Sequence, residues 1–202
     1  KALSYRLNFI MPHKYFYNVL KKILNIDETN VIDASIIFDM LLADQSEKLF
    51  QIVKSTYKED KKILIGSKAN SFGFRATTKI FNSFYKSKMI HKYKFICLNQ
   101  GVHKIALILY IFFMKVFKNV NLQLEFFPTT DSLTYNSMTS SISYFILQNR
   151  GGGSTARNYA KWGCGVLCTL KDSPNSQVLK DVFKIDLINF ENYDEIANKI
   201  KD

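Results

Sequence analysis

Acid is what the middle of this sequence lacks: residues 61–124 carry twelve Lys and Arg and no Asp or Glu. Such a stretch repels itself, and only solvent or an acidic partner relieves the repulsion. Proline is scarce too, with three in 202 residues, so helices and strands run with few forced breaks. The longest apolar run, residues 105–114, is ten residues and too short to cross a bilayer, so it reads as a buried helix and no membrane partner is expected. Cysteine is limited to Cys97, Cys164 and Cys168, an odd set that argues against a disulfide framework and for a reducing compartment. The histidines, His13, His91 and His103, are scattered and no second Cys pair exists, so the cysteines read as small buried hydrophobes. No metal and no cofactor is expected. No apolar signal segment opens the chain, and because its first residue is Lys and not Met, further residues or a targeting segment are expected before it.

What is present describes a folded protein. Hydrophobic residues make up 47% of the chain and charged ones 22%, which excludes disorder. The net charge of +11 has a definite location. Residues 1–60 hold eight basic and eight acidic side chains and residues 151–202 hold seven of each, so the thirteen basic and two acidic residues of 61–150 carry the whole excess. Nucleic acid is the first polyanion to consider for such a block. Of the 28 basic residues 24 are Lys, in a chain also rich in Ile, Asn, Phe and Tyr, a pattern that AT-rich coding produces.

Periodicity divides the chain in three. Residues 1–60 read as a helical arm, with helices at 12–24, 31–43 and 46–57, the first opened by Pro12 and the last capped by Ser46. The basic block reads as strand 62–67 (KILIGS), helix 74–88, strand 93–99 (YKFICLN) and helix 102–118. Strand 120–127 follows, alternating apolar Val120, Leu122, Leu124 and Phe126 with polar Asn121, Gln123 and Glu125. A Ser/Thr-rich linker at 129–140 and a strand at 141–148 complete a β-α-β-α-β-β order whose last two strands form a long flexible hairpin. Residues 151–202 read as an extension: a flexible loop at 150–157 (RGGGSTAR), strands at 161–170 and 182–188, and a helix at 192–201. Helix 102–118 is apolar almost all round and must be covered on more than one side, by a sheet and by either the arm, neighbouring protein subunits or a second copy.

That order, with KILIGSKANSFGF at 62–74 and NQGVHKIALI at 99–108, resembles the Alba superfamily of small basic DNA- and RNA-binding proteins. The resemblance covers about 90 of the 202 residues. It implies an α/β (α+β) fold in which Lys68 occupies the nucleic-acid-contacting loop, and Gly101, Lys104 and Ala106 open the second helix. The family's groove-following hairpin would fall around residues 127–141.

Lys68 lies just past a strand, where loop amides and an ammonium can face a phosphate together. Arg75, Lys79 and Lys86 share one face of helix 74–88 with no acid among them, and Lys61, Lys62, Lys88, Lys104, Arg150 and Arg157 extend the basic set. RGGGSTAR lacks the Gly-Lys-Ser/Thr that ends an ATPase phosphate loop, and no nucleophile elbow or carboxylate pair is present, so no catalytic residue is assigned. The sequence alone therefore points to a non-enzymatic RNA-binding subunit of a ribonucleoprotein assembly that contacts phosphates of rRNA or another structured RNA. A mitochondrial ribosome is the first host to consider, with the cytoplasm as the other compartment. The competing readings are a free-standing Alba-type dimer on DNA or messenger RNA, an enzyme of unknown reaction, and a scaffold touching no nucleic acid.

Overall fold

Six strands of the computed structural model form one all-parallel sheet, a result no hairpin can produce. The structure describes residues 8–11, 30–33, 61–128 and 132–200. Two compact units divide the chain, residues 1–48 and 49–202. In the first, strands β1 (Asn8–Met11) and β2 (Asn30–Asp33) pair in parallel, Asn8 opposite Asn30 and Met11 opposite Asp33. The helix expected from residue 31 is thus strand over its first three residues; the rest of it, and the expected helices at 12–24 and 46–57, lie outside the described residues.

In the second unit, β3 (Lys62–Ile65) leads to α1 (Phe74–Lys86), a short 3-10 turn (Ile90–Lys92), β4 (Lys94–Cys97) and α2 (Gly101–Lys118). Then come β5 (Leu124–Phe126), α3 (Ser132–Ser140), β6 (Tyr144–Leu147), α4 (Gly153–Lys161) and β7 (Val166–Leu170). A short α5 (Pro174–Gln177) runs into a π-helical turn (Val178–Val182), and β8 (Leu187–Phe190) and α6 (Ile196–Lys199) close the chain. Spatially the order is β5-β4-β3-β6-β7-β8. The chain starts at the centre, winds outward to one edge, returns to pair β6 with β3, and winds outward to the other: a doubly wound α/β sheet.

The strands show why they sit inside. KILI, KFIC, YFIL and VLCTL are near-continuous apolar runs, as strands covered on both faces require. Alternation then sorts them. Ile63, Ile65, Phe95, Cys97 and Ile146 face one core with Phe81 and Phe84 of α1, Leu107 and Met114 of α2 and Ile196 of α6. Leu64, Ile96, Phe145, Leu147 and Leu167 face the other, with Ala156 and Tyr159 of α4 and Leu179. Each core removes several large side chains from water, at roughly 1.5–3 kcal/mol apiece.

Several sequence expectations change here. The Alba-like order fails because β5 and β6 are no hairpin: β4 and β3 lie between them, and α3 lies in the segment read as a flexible linker. TYNSMTS offers only Tyr135 and Met138 to the second core, too short a stripe to show a helical period. Val120 and Leu122 are buried and Asn121 and Gln123 exposed, as the alternation required, yet only Leu124–Phe126 pairs as strand. The sheet does not stop at residue 150, since β7 and β8 extend the ladder of β6. The RGGGSTAR loop is half helix, the strand expected from 161 begins at Val166, and a helical stretch at 174–182 was missed. The last strand is displaced to Leu187–Phe190 and the final helix shrinks to Ile196–Lys199. Cys97 and Cys168 are buried, Cys164 is partly so, and none of the three forms a disulfide. Burial pushes the Cys97 and Cys168 thiols well above their ordinary range, so they are unreactive packing groups.

Candidate functional site at the centre of the sheet

Winding reverses between β3 and β6, and there the loops leaving the two strands diverge to opposite faces and open a crevice beyond their carboxyl ends. Two glycine turns line it. Gly66, directly after β3, has φ +85, and its amide still donates to Ile146 O on β6 at 2.9 Å. Gly151 and Gly152, between β6 and α4, have φ +78 and +75. A side chain at Gly152 would strike Ser67 Oγ and crowd Gln148 Nε2, so glycine is required there on both conformational and spatial grounds.

Gln148 ties the two turns together. It is buried; its Oε1 accepts from the Ser67 amide at 3.0 Å, and its Nε2 donates to Ser67 Oγ at 2.5 Å and to Gly151 O at 2.8 Å. Asn175, also buried, donates through Nδ2 to Gln148 O and to Gly151 O, the latter at 2.9 Å. Tyr135 of α3 donates its hydroxyl to Ser67 O at 2.9 Å. Burial pushes the Tyr135 phenol up to about 12, with the Thr155 side chain opposing as a weaker influence, so it stays a donor at neutral pH. These bonds hold the backbone of both turns in fixed positions, a preorganised frame.

The frame presents positive potential. The first intrahelical bond of α4 runs from the Ala156 amide to Gly152 O at 3.0 Å, so the amides of residues 153–155 have no carbonyl partner within the helix. No acidic residue occupies the first turn of α4 and no side chain caps it. The Lys68 ammonium lies 3.5 Å from where a Cβ on Gly151 would stand, over the same turn. Oriented amides, a helix dipole and a lysine converging on one spot make an anion site suited to phosphate. Adjoining it is a pocket of about 230 Å³, lined by Ser67, Lys68, Ala69, Leu98, Gln100, Phe127, Pro128 and Tyr135. It combines an apolar wall with a polar edge, and none of these lining residues is Asp, Glu or His. Among the described residues no three or more His, Cys, Asp and Glu gather as metal ligands.

The ten cations named from the sequence lie at both ends of the sheet strands. Lys68 and Arg150 follow strands and lie at the crevice end, and Arg75 and Lys104 sit in the opening turns of helices that begin there. Lys61 and Lys62 lie at the start of β3 and Lys86 and Lys88 at the end of α1, all toward the opposite edge of the sheet. Lys79 pairs with Asp194 at 3.6 Å, so the acid-free helix face meets a carboxylate from the far end of the chain. The Arg157 guanidinium stacks on Phe183 at 5.0 Å and Lys104 on Phe126 at 5.4 Å. Lys68 is the member of the set whose ammonium lies over the Gly151 turn. Sequence reasoning missed Tyr135, Gln148 and Asn175, and it set aside RGGGSTAR, with Gly151, Gly152 and Thr155, as a phosphate loop. The available signal was an apolar strand, 144–147, running through glycines straight into a helix opened by Ser and Thr.

No family model and no curated relative matches the sequence. Solved structures do. A UDP-GlcNAc 2-epimerase from Methanocaldococcus jannaschii, in complex with UDP-GlcNAc and UDP, superposes with a TM-score of 0.60 at 14% identity over 95% of this chain and 52% of its own. A glycosyltransferase from Rickettsia africae gives 0.56 at 13% identity, over 95% and 51%. WaaG, a glycosyltransferase of lipopolysaccharide biosynthesis, gives 0.56 at 11% identity, over 99% and 53%. The likeness is one of fold. The chain spans about half the length of these neighbours.

This finding overturns the Alba resemblance, and with it the expectation of a non-enzymatic RNA-binding or ribosomal subunit with RNA and neighbouring subunits as partners. These three neighbours are a UDP-GlcNAc 2-epimerase and two glycosyltransferases, which are enzymes, and the first of them holds UDP-GlcNAc and UDP. Charge composition misled because it counts lysines without placing them.

Proposed function

We propose that residues 61–200 are the nucleotide-binding half of an enzyme acting on a sugar nucleotide of the UDP-sugar class. The observation that carries this is the crevice itself: a glycine turn opening α4, locked by Gln148 and Asn175 to the turn after β3, with Lys68 above it. Neighbours of the same fold that hold UDP or UDP-GlcNAc support the choice of ligand. In this reading the diphosphate accepts from the amides of residues 153–155 while Lys68 neutralises it, and one ring of the ligand enters the pocket walled by Leu98, Phe127 and Pro128.

The chemistry follows from charge. When the bond between a sugar and its diphosphate breaks, negative charge grows on the departing phosphate oxygen, and fixed amides and an ammonium stabilise it most at that moment. The described lining residues include no carboxylate or imidazole, so their part is to hold and orient the donor and to stabilise the leaving group. Titration calorimetry with UDP, UDP-GlcNAc and uridine tests the reading. The expected result is one site for UDP and UDP-GlcNAc, with uridine weaker by about a hundredfold because its phosphate contacts are gone. Equal affinity for uridine and UDP, or no heat with any of them, would contradict it.

A further inference from the structure

The outer face of α2 is unlike any other surface described here. Val102, Ile105, Ile108, Leu109, Phe112, Phe113, Val116 and Phe117 are all exposed, from 43% at Phe113 to 80% at Val102, while only Leu107 and Met114 of the helix are fully buried. At roughly 100° per residue these eight side chains cover about half the helix circumference, and Lys104, Lys115 and Lys118 fall together in the adjoining ~60°. Two of those lysines are held in place over rings at the seam with the body, Lys104 over Phe126 at 5.4 Å and Lys118 over Tyr85 at 4.8 Å. The helix contains no acid, and neither does any position from 61 to 124. Water-soluble surfaces rarely leave so continuous an apolar strip uncovered.

We propose that α2 docks this unit on an anionic lipid surface, lying in the headgroup plane with its phenylalanines and aliphatic side chains among the acyl chains. Two observations select that occupant. A half-cylinder of large apolar groups with lysines along one edge, His103 and Tyr110 along the other and no acid matches what an interfacial helix needs: apolar area to bury, and cations to meet lipid phosphates. A second copy of this chain would bring the same acid-free surface, so its lysines would find no carboxylate on the facing helix. Among the described residues no helix is long and apolar enough to cross a membrane, so the contact is along the surface. Docking would also set the crevice near the headgroups, since Gln100 lines its pocket and Val102 begins the exposed strip two residues later. This revises the expectation that no membrane is involved, and it stands whether or not a sugar nucleotide is the ligand.

Flotation of the purified chain with phosphatidylglycerol vesicles, and with phosphatidylcholine vesicles as control, tests this, together with sedimentation velocity of the protein alone. The chain is expected to bind phosphatidylglycerol vesicles at least about tenfold more tightly than phosphatidylcholine ones, and to lose most of that preference in high salt. Phe112→Ser with Phe117→Ser should weaken vesicle binding by about a hundredfold, each phenylalanine contributing roughly tenfold. Lys115→Gln with Lys118→Gln should weaken it by about tenfold or more and flatten the salt dependence. Circular dichroism confirms that the variants fold, and the lipid and salt comparisons on the unaltered chain remain decisive if they do not. No binding to phosphatidylglycerol, equal binding to both lipids, or a stable dimer that Phe112→Ser with Phe117→Ser dissolves into monomers would overturn the proposal.

Discussion

Two helices of this sheet, α2 and α4, begin the same way and end up with opposite fates. Each follows a parallel strand, each opens at a glycine past the strand's carboxyl end, and neither has a side-chain cap. At α4 the entry is surrounded: Gln148, Asn175 and Ser67 fix the turn, and Tyr135 fixes Ser67. At α2 the distinctive surface is the helix flank, apolar and open to solvent. A doubly wound fold thus supplies equivalent positions, and the side chains decide that one holds a small anion and the other presents a greasy surface.

That contrast breaks most completely at Gly152. Gly152→Val combines a left-handed backbone with a collision against Ser67, and is expected to cost about 3 kcal/mol or more and to abolish nucleotide binding. Urea unfolding and calorimetry read the two effects separately. Within α2, the inward and outward faces should differ sharply. Met114→Ala is expected to lower stability by about 2–5 kcal/mol, whereas Phe112→Ser stays within about 0.5 kcal/mol of the unaltered protein. Lys68→Ala should weaken UDP binding by about 10- to 100-fold, the range for a hydrogen bond to a charged group, with little change in melting temperature because its side chain is exposed.

The smallest effect is a pH dependence. The Tyr135 phenol is raised in the fold from 10.0 to about 12. A raised value means its contribution is complete below pH 10 and is lost as the pH climbs from 10 through about 12, where the unfolded chain ionises more readily. Tyr135→Phe should therefore show a shallower fall in stability across that window in alkaline denaturation; an unchanged slope would show that Tyr135 is not the group responsible.

Much of the secondary structure was legible, because KILI and KFIC are apolar enough to stand out and α1 separates its polar and apolar faces cleanly. Their arrangement was not. The β-α-β-α-β order is what parallel pairing produces, yet the weak period of residues 132–140 hid a helix and turned the third connection of the sheet into a hairpin. The site was half visible. Lys68 stood out as a cation after a strand, while Gln148 and Asn175 act through buried hydrogen bonds across 81 and 24 positions of sequence, which no local pattern reports. The glycines of RGGGSTAR were set against a nucleotide-loop spelling they do not match, although the physical requirement is only a positive-φ turn feeding a helix.

Backbone amide NMR titration with UDP locates the nucleotide directly. Shifts are expected at residues 66–69 and 151–155 and at the pocket wall around Leu98, with residues around Lys61, Lys62, Lys86 and Lys88 undisturbed. Shifts gathered at those four lysines, with the glycine turns silent, would contradict it.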